Sequence, residues 1–111
     1  MIYKKSWKYI LCKDKLYGGF YYRIKSLKTF GKVQKGELGG LVQGYYNLSQ
    51  KGNCWICDKA LAIDNAKVTE NAWIFNEARV YHHARIGGDA IIGGSKIVFG
   101  SKIITEGFFT E

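Results

Sequence analysis

From Ile56 onward the chain counts in sixes. Ile56, Ala62, Val68, Ile74, Val80, Ile86, Ile92, Val98, Ile104 and Thr110 share that spacing, and eight of these ten are Ile or Val. Two places before each stand Cys54, Ala60, Ala66, Ala72, Ala78, Ala84, Ala90, Lys96, Lys102 and Phe108, of which the first seven are small. A helix repeats in about 3.6 residues and a strand in 2, so neither accounts for a six by itself. A stacked solenoid does. Each short strand points a β-branched residue inward, and the small residue two places earlier lets the backbone turn a tight corner. Polar pairs such as Glu70-Asn71, Asn76-Glu77 and Gly88-Asp89 suit those corners. A buried Ile or Val contributes roughly 1.5–3 kcal/mol before entropy is counted. No hexad is therefore stable alone, and stacking makes the core.

These hexads resemble those of left-handed parallel β-helices, the hexapeptide-repeat fold, which has three strands and eighteen residues per coil. Upstream, "FYYRIKSLKTFGKVQKGELGGLVQGYYNLSQKGNCWICDKA" resembles small phage and prophage proteins in which an RI-containing strand, a G-x-LGG turn and an NLS segment precede such repeats. The match covers about residues 17–92. The expected fold is all-β, a short left-handed parallel β-helix of about three coils. Residues 37–111 form it, and residues 1–36 supply a basic, aromatic-rich cap, the whole being one compact domain. In that cap "SWKYILCK" alternates Trp7, Tyr9 and Leu11 against Lys8 and Ile10, and "GGFYYRIKSLKTF" alternates Tyr22 and Ile24 against Arg23 and Lys25. Joined by a Gly-containing loop, they read as an antiparallel hairpin. Lys96, Lys102 and Phe108 break the small-residue rule, so the last coil should be distorted.

Eighteen residues per coil would stack outward positions in columns. The first face then carries Trp55, Trp73, Ile91 and Phe109 beside Cys57, Phe75 and Gly93. The second carries Leu61, Arg79 and Ile97 beside Ile63, Tyr81 and Phe99, and the third Lys67, Arg85 and Ile103 beside Thr69, Gly87 and Thr105. Two largely apolar outer faces point to an interface. The expectation is a homo-oligomer joined through Trp55, Trp73, Phe75, Ile91, Tyr81 and Phe99. The resemblance implies a trimer. The alternative is that the N-terminal segment folds back over one face.

Charge is uneven. Of the net +8, residues 1–53 hold eleven Lys or Arg against Asp14 and Glu37, while residues 54–111 hold six against seven acids. Lys4, Lys5, Lys8, Lys13, Lys15, Arg23, Lys25, Lys28, Lys32 and Lys35 are interleaved with Tyr3, Trp7, Tyr9, Tyr17, Tyr21 and Tyr22. Cations attract phosphate and rings stack on bases, so the mixture suits a nucleotide or a nucleic acid strand. It also suits an acidic protein surface. The ligand-binding candidates are Arg23, Lys25, Tyr21, Tyr22 and Lys28. The plainer reading is a solvated, lysine-rich cap.

Other motifs carry less. "CWIC" lacks the second ligand pair a zinc site needs, and Cys54 fills an alanine slot. No metal or cofactor is expected. His82 and His83 share one corner, and resemblance to hexapeptide-repeat acyltransferases would make one a general base. No extension for an acyl donor accompanies them. "GELGG" is too short for a phosphate loop, and "NLS" spells a glycosylation triplet without signs of export. No 18-residue apolar run is present. Three cysteines without a leader read as reduced thiols in the cytoplasm, here that of a bacterial host.

The expected function is that of a non-enzymatic, phage-type binding protein. As a counter-defence factor it would capture an anionic partner, either a nucleotide immune signal or a nucleic-acid-binding host effector. The alternatives are an assembly protein of a phage particle and a hexapeptide-repeat acyltransferase.

Overall fold

A strand of two residues can hold its place only if strands above and below complete its hydrogen bonds, and the hexads supply these at a spacing of eighteen. The computed structural model describes residues 6–13 and 21–110. It is an all-β solenoid of about four turns, one more than the hexad count suggested. Strands β4 (Trp55–Ile56), β7 (Trp73–Ile74) and β10 (Ile91–Ile92) stack in parallel as the first side, with β13 (Phe108–Phe109) at its end. Strands β5 (Leu61–Ala62), β8 (Arg79–Val80) and β11 (Ile97–Val98) form the second side. Strands β6 (Lys67–Val68), β9 (Arg85–Ile86) and β12 (Ile103–Ile104) form the third. Ile56, Ala62, Val68, Ile74, Val80, Ile86, Ile92 and Val98 point inward and are buried, as are the alanines two places before them.

The extra turn comes from residues without six-residue spacing. β3 (Leu38–Val42) lies parallel to β5, with Leu41 opposite Leu61, and Leu48 bridges Val68. Both offsets are twenty residues, whereas Trp55 lies eighteen before Trp73. Two extra residues therefore fall between Leu48 and Trp55. Buried Asn47 completes this irregular coil. Its Oδ1 accepts from the Gln43 and Gly44 amides, and its Nδ2 donates to the carbonyls of Asp64 and Ala66. Gly39 and Gly40 let β3 press onto the coil below, since a Cβ would stand 2.4 Å from the Ile56 carbonyl oxygen or 2.3 Å from that of Ala60.

β1 (Tyr9–Lys13) and β2 (Tyr22–Ser26) form the antiparallel hairpin, and β2 also pairs antiparallel with β3. The cap and the second side are consequently one six-stranded sheet, in the order β1-β2-β3-β5-β8-β11. Gln50 ties the hairpin to the first coil: its side chain accepts from the amides of Lys8 and Tyr9 and donates to the Tyr9 carbonyl.

Two outward assignments need correction. Trp55 is wholly buried, because the cap folds over the first row of the first side. Tyr9 and Phe30 meet its indole edge-on at 6.3 and 5.4 Å, so Trp55 is closed to any second chain. Phe109 packs against the core, and Phe108 faces out in its place. Phe108 pairs with Ile91 at an offset of seventeen, because the corner at Glu106-Gly107 is one residue short.

Candidate functional site

The corners place the polar side chains. Asp58, Asp64, Glu70, Asn76 and His82 all have positive φ, between 49° and 60°, and Gly88, Gly94 and Gly100 continue the series at the same six-residue spacing. Asp, Asn and Gly tolerate this left-handed conformation best. The corner side chains then build a ladder. Asp64 accepts from the His82 amide, Glu70 from that of Gly88, Asn76 from that of Gly94 and His82 from that of Gly100, each at 2.7–3.2 Å. His82 therefore serves the corner through Nδ1, and the neighbouring His83 amide bonds to the Gly100 carbonyl. Asp58 alone of the five leaves the ladder: among the described residues its carboxylate accepts no hydrogen bond.

Asp58 stands on the rim of a half-open groove of about 570 Å³ on the first side. Trp73, Phe75, Ile91 and Cys57 supply the apolar lining, and Asn76 and Lys32 stand beside Asp58. Lys32 arrives from the cap. The connection between β2 and β3 makes a tight turn in which Phe30 and Val33 bond to each other. Phe30 packs on Trp55 and Val33 is buried, so the turn carries Lys32 over the first side. Phe75 lies against Gly93, where a Cβ would stand only 2.2 Å from the ring. Around the corner the hollow continues along Asp58, Lys59, Asn76, Glu77, Gly94 and Ser95. Burial, then the nearby charges of Glu37 and Asp58, push the Cys57 thiol up to about 12, which keeps it protonated and poorly nucleophilic at neutral pH.

The ligand candidates on the hairpin do not converge. Arg23 Nη1 donates to the carbonyls of Gly39 and Asp58 at 2.9 and 2.8 Å, so the guanidinium fastens the hairpin to the first coil. Tyr22 packs against the core, and Tyr21 lines a separate hollow with Leu41, Leu61 and Arg79. Lys25 is exposed, and Lys28 Nζ reaches the Ser6 carbonyl. Lys8 is not a surface cation, being 1 % exposed with its ammonium against Cys54. Lys4, Lys5, Lys15, Tyr3 and Tyr17 lie outside the described residues. Of the interface candidates, Trp73, Phe75 and Ile91 line the groove. Tyr81 and Phe99 stack at 5.8 Å on the second side, with His82 edge-on to both.

The thiols of "CWIC" separate, Cys54 into the core and Cys57 into the groove. Asn47 of "NLS" is buried and fully bonded. Asp58 and Asn76 escaped the sequence reading as site residues. Their six-residue series marks corners, but nothing in it marks Asp58 as the unbonded one. Among the described residues no helix is long and apolar enough to cross a membrane. No family model matches the chain, and no curated protein sequence is significantly similar to it.

Proposed function

We propose that this protein is a non-enzymatic, self-associating binding module whose basic cap captures a phosphate-bearing partner, a nucleotide or a nucleic acid strand. The observation that carries this reading is the cap's uncompensated charge. Lys13, Lys25, Lys28, Lys32 and Lys35 are all exposed, while Glu37 is the single acid among the described residues up to 53. Lysines on an open surface act as point charges that attract phosphate without fixing its geometry. Capture of this kind depends strongly on salt. The resemblance to phage and prophage proteins extends the proposal to counter-defence, in which the partner is a nucleotide immune signal, the alternative being a nucleic-acid-binding host effector.

The test is fluorescence anisotropy with a labelled single-stranded oligonucleotide across a salt series. Binding should weaken steeply as salt rises. The double substitution Lys25→Glu with Lys35→Glu should flatten the slope of log K against log salt by about 1 to 2. Both side chains are exposed, so the variant should melt like the wild type. Wild-type binding that ignores salt, or a variant with an unchanged slope, would sink the proposal.

A further inference from the structure

We infer that the first-side groove recognises a guanine base bearing a phosphate. Its size falls in the range of small-molecule sites, roughly 300–1,000 Å³, and its lining combines aromatic rings with a few polar groups of distinct kind. Phe75 cannot move inward, because Gly93 already takes up its ring. Trp73 and Phe75 thus offer a rigid apolar surface on which a planar base stacks.

The polar rim narrows the choice of base. Asp58 presents a carboxylate that the corner ladder leaves unbonded, although the side chains of Asp64, Glu70, Asn76 and His82 each accept a bond from the next coil. An ionised carboxylate only accepts hydrogen bonds, and its two oxygens can take a pair of adjacent donors at once. Guanine offers N1–H and the N2 amino group side by side. Asn76 has Oδ1 committed to the Gly94 amide, which leaves its Nδ2 to donate to guanine O6. Adenine places a lone pair at N1 where guanine places a proton, so it would oppose the carboxylate. Lys32, on the same rim, meets the phosphate. The phosphate contact rests on the reading of the cap as an anion-binding surface, whereas the base contacts stand apart from it.

Calorimetric titration of the whole chain with GMP and with AMP tests the base contacts. GMP should bind at least about tenfold more tightly, the scale of one charge-assisted hydrogen bond. Asp58→Asn, which keeps a residue suited to positive φ, should abolish that ratio without shifting the melting temperature. Oligothymidylate with and without a single internal guanine distinguishes the sources. Preference for the guanine strand alone assigns the site to nucleic acid, preference in the mononucleotide assay assigns it to free nucleotide, and either supports the inference. Failure of the cap reading looks different: Lys25→Glu with Lys35→Glu would leave oligonucleotide binding unchanged while Asp58→Asn still erased the guanine preference. No discrimination in either format, or discrimination that survives Asp58→Asn, overturns the inference.

Discussion

An ammonium group taken out of water costs several kcal/mol unless acceptors surround it, and Lys8 meets three. Its Nζ lies 2.7 Å from the Cys54 carbonyl oxygen and 3.3 Å from both the Gly52 carbonyl oxygen and Cys54 Sγ, with the Phe30 ring centroid 5.1 Å away. Burial still pulls its pKa below the usual 10.5, against the partly restoring influence of Cys54. The unfolded chain therefore holds one more proton than the folded one between that lowered value and 10.5. Across this window the Lys8 contribution to stability rises with pH, by at most about 1.4 kcal/mol per pH unit. Cys54 acts in the same sense in a comparison with Lys8→Met. Burial raises its thiol and Lys8 opposes that rise, so the variant should lose stability faster above the ordinary thiol pKa. The raised values of Tyr9 and Cys57 erode stability at high pH in both proteins and cancel in the difference. Urea unfolding at pH 7 and pH 10.5 should thus show the wild type gaining on Lys8→Met. A constant difference would contradict the lowered Lys8 pKa.

At the scale of the corner and the coil, what stacks on a corner decides which glycines are required. Gly94 has φ +60°, and a Cβ there would stand 1.7 Å from the Thr110 carbonyl oxygen of the last coil. Gly100 has φ +69° with nothing within 4 Å. Gly94→Ala should therefore cost about 2 kcal/mol or more, combining backbone strain and overlap. Gly100→Asn should stay within about 0.5 kcal/mol of the wild type, since Asn accepts the left-handed region and the site is open. Chemical denaturation of the two variants distinguishes the positions, and equal losses would contradict the close stacking of the last coil on Gly94. Register explains what could be read in advance. Ile56 to Val98 and the alanines before them announce their coils, because each site asks the same side chain for the same reason. The first coil and the last are written in other residues. Leu48 and Val42 do core work outside the count, two residues are inserted before Trp55, and one is missing before Phe108. Trp55 looked outward because its position in the hexad is an outward one, and only the cap's course, with Phe30 and Tyr9, closes it. The absence of Asp58 from the ladder was likewise invisible, since a ladder bond depends on the geometry of two coils and its residue type matches that of Asp64.

For the molecule as a whole, the unsolved surface lies at the end away from the cap. Each of the three sheets finishes on a strand of the last coil, β11, β12 or β13. Exposed edges of this kind are templates for pairing with another chain. The same coil carries Ile97 at 45 %, Phe99 at 55 %, Ile103 at 67 % and Phe108 at 68 % exposure, an apolar girdle around that edge. Together with the Tyr81–Phe99 stack it makes the second side and its open end the natural place for self-association. The wild type should sediment as a multiple of 12.6 kDa, and three copies would match the resemblance to hexapeptide-repeat proteins. Phe99→Glu places a charge in the girdle without entering the core, so it should yield a folded monomer with a wild-type circular dichroism spectrum. Trp73→Glu, on the first side, should leave the mass unchanged and remove nucleotide binding. The pair of variants separates association from capture, because an interface on the first side would give the opposite masses. If both retain the wild-type mass, neither face holds the assembly. If the wild type itself sediments at 12.6 kDa, the apolar girdle has no second copy to cover it and the proposal of self-association fails.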